Sequence, residues 1–189
     1  MEEGIPMRNR EGNLRPVVAT VPTLCSYNSV MPFKISIITS SKEGADRAAL
    51  DWSLENGMPH GGWCPLGSLV GDAPLDPKYR LKETETDAVL ESVDCNVRDS
   101  DATLIISIGP KATGPAQKAS TYSKKQKKPV LHVHRAVLGA AERVVEFIDK
   151  YYIRRLHVTG TNETEEPGIG DWVKMTLDRV KSTIDRRPD

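Results

Sequence analysis

The densest run of chemically useful side chains in this 189-residue chain is Ser40-Ser41-Lys42-Glu43-Gly44-Ala45-Asp46-Arg47. Two hydroxyls, an ammonium group, a glycine and a guanidinium at the head of a helix suit a small anion. Backbone N–H groups and the helix dipole attract negative charge there, and an arginine can fork onto a phosphate or another oxyanion. Arg47 also has a plainer reading as the ion-pair partner of Asp46 or Glu43. Asp46 reads as an acid of a first helical turn, or as the group that orients Arg47. Glu43 works against an anion, because a carboxylate at that position opposes a bound anion by about 1 kcal/mol.

Gly109, Thr113 and Gly114 fall between an apolar run and a helical pattern, the setting for a second phosphate contact. Pro115 lacks the N–H, and Ala116 the hydroxyl, that such a turn would use. Gly61-Gly62-Trp63-Cys64-Pro65 offers either a rim with Trp63 as an aromatic wall for a flat ring or a turn that anchors a core tryptophan. Cys64 reads as a small hydrophobe rather than a metal ligand. His132 and His134 lie two apart on one side of a strand; with no third ligand nearby they read as packed or hydrogen-bonded. Asn96, Arg98, Asp99 and Asp101 read as formers of a helix end and turn, and Lys124, Lys125, Lys127 and Lys128 as a solvated helix end. No Gly-x-Ser-x-Gly elbow, Walker A loop, zinc-deaminase pattern or isolated carboxylate pair occurs, so the residues point to binding rather than catalysis, with no metal site expected.

Lysines plus arginines equal aspartates plus glutamates at 26 each, which removes any global field toward nucleic acid or an anionic membrane. No run of about 20 apolar residues exists to span a bilayer. Cys25, Cys64 and Cys95 are odd in number and lack zinc spacing, which suits reduced thiols; with Glu2 and Glu3 at the start and no apolar leader, the cytoplasm is the expected compartment.

The side chains above need a scaffold, and the hydrophobic pattern supplies one. Residues 1–32 lack periodicity and read as a flexible extension, and 33–186 as a single domain. An isoleucine-rich strand is predicted over 33–39. A helix follows over 44–56, with Ala45, Ala48, Ala49 and Trp52 on one face. A short strand over 60–63 is followed by an irregular, surface-borne segment over 64–82 containing Pro65, Pro74 and Pro77. Helices over 86–98, 115–126 and 138–151 alternate with strands over 102–108, 130–134 and 155–159, and a last helix carries Ile169, Val173, Leu177, Val180 and Ile184. Such alternation predicts an α/β, Rossmann-like, doubly wound and mostly parallel sheet of about five or six strands with helices on both faces. Ligands then belong at the carboxyl ends of the strands, in the loops 39–47, 107–116, 132–137 and 159–170.

The order Asp46-Arg47-Ala48-Ala49-Leu50-Asp51-Trp52 followed by Gly57-Met58-Pro59-His60-Gly61-Gly62-Trp63-Cys64-Pro65 is not dictated by generic fold rules. Together with Tyr79, Leu81-Lys82-Glu83-Thr84, Asn96-Val97-Arg98-Asp99-Ser100-Asp101-Ala102-Thr103-Leu104, Pro129 and Leu131-His132-Val133, it resembles the molybdenum carrier (molybdenum cofactor carrier-like) family. The resemblance implies a Rossmann-like domain within a superfamily that also contains cytokinin-activating phosphoribohydrolase-like proteins. It further implies binding of molybdenum cofactor and a homo-oligomer. Two loops depart from the family pattern: Ser40-Ser41-Lys42-Glu43-Gly44 stands for the usual Gly-Gly-Gln-Thr-Gly, and Thr113-Gly114-Pro115-Ala116 for Thr-Gly-Gly-Thr.

The implied function is non-enzymatic storage or transfer of molybdenum cofactor, a small anionic ligand. Its anionic groups would lie near Ser40, Ser41, Lys42, Gly44, Asp46, Arg47, Gly109, Thr113 and Gly114, and its pterin against Trp63. A dimer or tetramer and recipient molybdoenzymes go with that reading. The alternatives are a phosphoribohydrolase-like enzyme acting on a nucleotide-like ligand, and a sensor or assembly subunit that has lost ligand binding through the two altered loops.

Overall fold

The computed structural model describes residues 35–70, 73–74 and 76–186; the extension expected over 1–32 lies outside them. The strands in chain order are β1 (Ser36–Ile38), β2 (His60–Cys64), β3 (Leu69–Val70), β4 (Ala73–Pro74), β5 (Leu81–Glu83), β6 (Ala102–Ser107), β7 (Val130–His134) and β8 (Arg155–Gly160). The helices are α1 (Ala45–Glu55), α2 (Val89–Arg98), α3 (Gly114–Lys125), α4 (Ala140–Lys150) and α5 (Ile169–Asp185). Six strands form one all-parallel sheet in the order β5-β2-β1-β8-β6-β7, and β3 and β4 make a separate antiparallel pair. The α/β, Rossmann-like, doubly wound expectation therefore holds, with six strands.

The interior strand β6 is buried at all six residues and β8 at five, whereas the edge strand β5 carries one half-buried and two exposed residues. A parallel strand covered on both faces must be apolar or internally paired throughout, which explains Ala102-Thr103-Leu104-Ile105-Ile106-Ser107. One layer of helices (α1, α4, α5) buries Ala48, Trp52, Val144, Ile148, Val173 and Leu177 in the main core. The opposite layer (α2, α3) rests on a far smaller cluster of Val93, Val97 and Ala119.

The segment over 64–82 departs from the sequence expectation, for it holds the β3–β4 pair, a 3-10 turn at Pro77–Tyr79 and the start of β5. β5 pairs with Gly62, Trp63 and Cys64 at the sheet edge. Its charged Lys82 and Glu83 suit an exposed edge and hide it from a hydrophobicity pattern. The starts of α1, α2 and α4 also shift inward, while α3 begins one residue earlier than expected, at Gly114. α2 begins at Val89 because Thr86 Oγ1 accepts from Ala88 N and Glu91 folds back onto Thr86 N. The basic run differs too: Lys124 and Lys125 occupy the last turn of α3, but Lys128 Nζ donates to the carbonyls of Val97 and Ser100 at 2.7 Å each, tying down the end of α2. Among the described residues no helix is long and apolar enough to cross a membrane.

Candidate functional site

β1 and β8 are neighbours, and the chain leaves their carboxyl ends by two loops that face each other. Between them lies a cleft of about 460 Å³, within the range of small-molecule sites. Ser40, Ser41, Lys42 and Glu43 form one wall; Asn162, Glu163 and Thr164 form the other; Pro65, Ser68 and Val89 close the end. Gly44 lets the two walls approach. Its φ is +95°, and a Cβ there would sit 2.5 Å from Asn162 Cα and 2.6 Å from the Thr161 carbonyl oxygen. Ala45 N donates to that same carbonyl at 3.1 Å, so the first N–H of α1 is already engaged.

Asp46 lies beneath the cleft rather than on its surface. Its Oδ1 accepts from Gly160 N at 3.3 Å, and Thr39 Oγ1 donates to its carbonyl at 3.4 Å. Burial pushes its carboxyl up to about 6, against the pull of the Thr159 hydroxyl, Lys42 and the Gly160 N–H. Arg47 leaves α1 in another direction. Its guanidinium sits 4.5 Å from the centroid of the Tyr79 ring and 3.8 Å from Asp51, which also accepts from the Tyr79 hydroxyl at 2.7 Å. Arg47 Nη1 is buried without a partner, and Arg47 does not line the cleft.

The loop after β8, residues 161–168, acts as a strap across the sheet. Glu166 accepts from Ile108 N at 2.6 Å and Gly109 N at 2.8 Å, and from the Thr161 hydroxyl. Glu163 accepts from Gly168 N and from Gly170 N at the start of α5. Glu165 accepts from the Thr113 hydroxyl at 3.1 Å. The chain's own carboxylates thus occupy the backbone donors that an external anion would seek at strand ends and helix starts. For Glu166, burial alone would raise the acidity constant's pKa; the Thr161 hydroxyl, the two N–H groups and His132 outweigh it and hold the group below its usual range.

Behind Gly109, Ser107 Oγ donates to the Gly109 carbonyl at 2.7 Å and lies 2.6 Å from His132 Nε2. With its one proton directed to the carbonyl, the serine accepts from Nε2–H, so the imidazole is a donor here and not the base of an activated serine. His132 and His134 do share one side of the sheet, their ring centroids 6.0 Å apart.

Trp63 is not part of the cleft. Its indole donates to Asp99 at 2.7 Å and lies under the cations of Lys82 and Arg98, while Asn96 bonds both its backbone N and its carbonyl. Asp101 accepts from the backbone of Arg154 and Arg155. Of the residues singled out by sequence, Ser40, Ser41 and Lys42 line the cleft and Gly44 sets its width. Gly109 and Thr113 meet the strap, while Arg47, Trp63 and the exposed Gly114 stand apart. The strap carboxylates were not singled out. Their signal was the run Asn162-Glu163-Thr164-Glu165-Glu166-Pro167-Gly168, three acids between a strand and a helix start.

Moving β8 and α5 ahead of β1 would turn the strand order into 4-3-2-1-5-6, with β8 as the first strand and the strap as the first strand-to-helix turn. The comparisons agree with that topology. A crystal structure of a "Putative molybdenum carrier protein" from Syntrophus aciditrophicus SB is 30% identical with a TM-score of 0.71, covering 78% of this chain and 95% of that one. No curated protein matches. The model of the circularly permutated YpsA SLOG family matches residues 37–181. A parallel sheet with an interior strand supplied last in the chain is compatible with a circular permutation, and the chain belongs to the circularly permutated YpsA SLOG family.

Proposed function

We propose that the chain is a non-enzymatic binder of a small ligand, held in the cleft between Ser40-Ser41-Lys42 and Asn162-Glu163-Thr164, with molybdenum cofactor as its cargo. The observation that carries the reading is the cleft itself, a polar concavity at adjoining strand ends whose rim offers hydroxyls, an amide and one ammonium group beside the carboxylates of Glu43 and Glu163. The direction of the Ser107 proton supports binding over nucleophilic chemistry. The molybdenum carrier name of the similar structure supports the choice of cargo. Charge is the obstacle: among the described residues Lys42 is the lone cation on the cleft wall, and an anionic tail at the start of α5 competes with Glu163. Assembly into a dimer or tetramer and hand-over to molybdoenzymes belong to the same proposal.

A second reading, a sensor or assembly subunit without a ligand, draws on a different observation: Glu163 and Glu166 already fill the backbone donors. Anaerobic titration with molybdenum cofactor, molybdate and AMP, followed by retention and thermal shift, separates the two. The carrier reading expects saturable, cofactor-selective stabilisation, weakened about tenfold in Lys42→Ala. Absence of binding in the wild type, with binding gained in Glu163→Gln, establishes the second reading instead. Release of free adenine from AMP would overturn both in favour of a phosphoribohydrolase-like enzyme.

A further inference from the structure

A second concavity, of about 360 Å³, lies between the first turn of α4 and the flank of α5. Arg135, from the loop after β7, and Arg179, from α5, both line it. Both are exposed, and neither has an ion-pair partner among the described residues.

The helix start between them is bare. α4 is capped by Gly139 at φ +66°, which has no side chain to accept from the first-turn N–H groups, and no side-chain cap bond is made.

A third observation is independent of these charges. Trp172 lines the same concavity, is 8% exposed, and its Nε1–H has no acceptor. The other two tryptophans are satisfied, Trp52 by Asp178 and Trp63 by Asp99, each at 2.7 Å. Buried donors without acceptors are rare in folded chains and call for a reason.

The mouth also has an apolar side. Leu138, at 90% exposure, stands on the rim beside Val137. Glu142 shares the rim and leaves the three charged side chains with a net positive charge.

We propose that this concavity binds a small organic anion, a phosphate monoester or carboxylate with an apolar portion. The anionic group lies between Arg135 and Arg179 at the start of α4, and the apolar portion against Leu138. Two guanidiniums and unpaired helix N–H groups are the donors such a group needs, and the site is separate from the cleft under the strap.

The indole signals make the test specific. In a ¹H–¹⁵N spectrum the Trp172 side-chain resonance, assigned with Trp172→Phe, is followed during titration with phenyl phosphate and with benzoate at constant ionic strength. The expected result is a saturable shift of that resonance by at least one of the two probes. Binding weakens about tenfold or more in Arg135→Ala and in Arg179→Ala, and tightens in Glu142→Gln. The arginines and Glu142 are exposed, so the variants keep the fold. Lys42→Ala, on the other cleft, leaves the titration unchanged, which keeps this result distinct from that of the cofactor titration. A Trp172 resonance unmoved by either probe, or moved equally in the arginine variants, overturns the proposal.

Discussion

The carboxylate of Glu166 accepts from the backbone N–H of Gly109 at 2.8 Å, across 57 residues of sequence. That bond ties the strap to the end of β6 with an acid of the protein's own. Replacing Glu166 with Gln leaves one good acceptor where two served Ile108, Gly109 and Thr161, and should cost about 1 kcal/mol at neutral pH, given the partial exposure of the group. The folded carboxyl sits below its usual 4.5, so the wild-type advantage is full above that pH and disappears as pH falls through the folded value. Urea denaturation of both proteins at pH 7 and at about pH 3 checks it; equal stability at pH 7 would show that the strap is not held by this bond.

Two buried groups pull the acid limb in opposite directions. Asp46, raised from 3.8 to about 6, binds its proton more tightly folded than unfolded, so its contribution to stability falls as pH rises from 3.8 toward 6. His157, lowered by burial, and further by Lys128, from 6.5 to about 3, stays neutral in the folded chain, so stability is lost as pH falls from 6.5 toward 3. Asp46→Asn removes the first effect alone. It should raise stability at pH 7 by about 1–3 kcal/mol and make the decline below pH 6 steeper. Melting temperatures across that range read both changes.

Gly44→Ala forces a Cβ to within 2.5 Å of Asn162 Cα at a backbone φ of +95°. The expected loss is about 2–4 kcal/mol, because backbone rather than a flexible side chain must yield. Gly57→Ala is the control: its φ is +62°, but nothing lies within 4 Å of the added carbon, so only the conformational cost of about 1 kcal/mol applies. Denaturation midpoints of the pair separate crowding from backbone strain.

Trp63→Phe removes the indole N–H that reaches Asp99 and should cost about 1 kcal/mol. Since Trp63 does not line the cleft, the affinity of any cleft ligand should stay within about twofold of wild type. The cofactor titration described above, repeated on this variant, measures it; a large loss of affinity would return Trp63 to the site.

How far the sequence could be read follows from what kind of information each feature needs. Helical spacing of Ala45, Ala48, Ala49 and Trp52 and the apolar run at Leu104-Ile105-Ile106 are local, and both elements form where expected. The turn of Ser40, Ser41 and Lys42 was legible for the same reason, as a polar stretch between a strand and a helix. Glu166 was not, because its partners Ile108 and Gly109 are set by β8 lying beside β6, a neighbourhood no local pattern encodes. Arg47 shows the converse case. Its place at a helix start suggests an anion, but the rotation of α1 on the sheet carries its guanidinium to Tyr79. β5 was missed because Leu81-Lys82-Glu83 has the charge of an edge and too few residues to show an alternation.

The position of β8 has a consequence for how the protein is made. Ile37 pairs with Leu156, and Leu156 also pairs with Ala102, so the strand that joins the two halves of the sheet is the last to leave the ribosome. Until it does, the β5-β2-β1 and β6-β7 ribbons each present an open edge to the crowded surroundings of the nascent chain. Non-local pairing of this kind is slow, and unpaired edges aggregate. Closure of the six-stranded sheet therefore waits until the residues between β7 and β8 have been made.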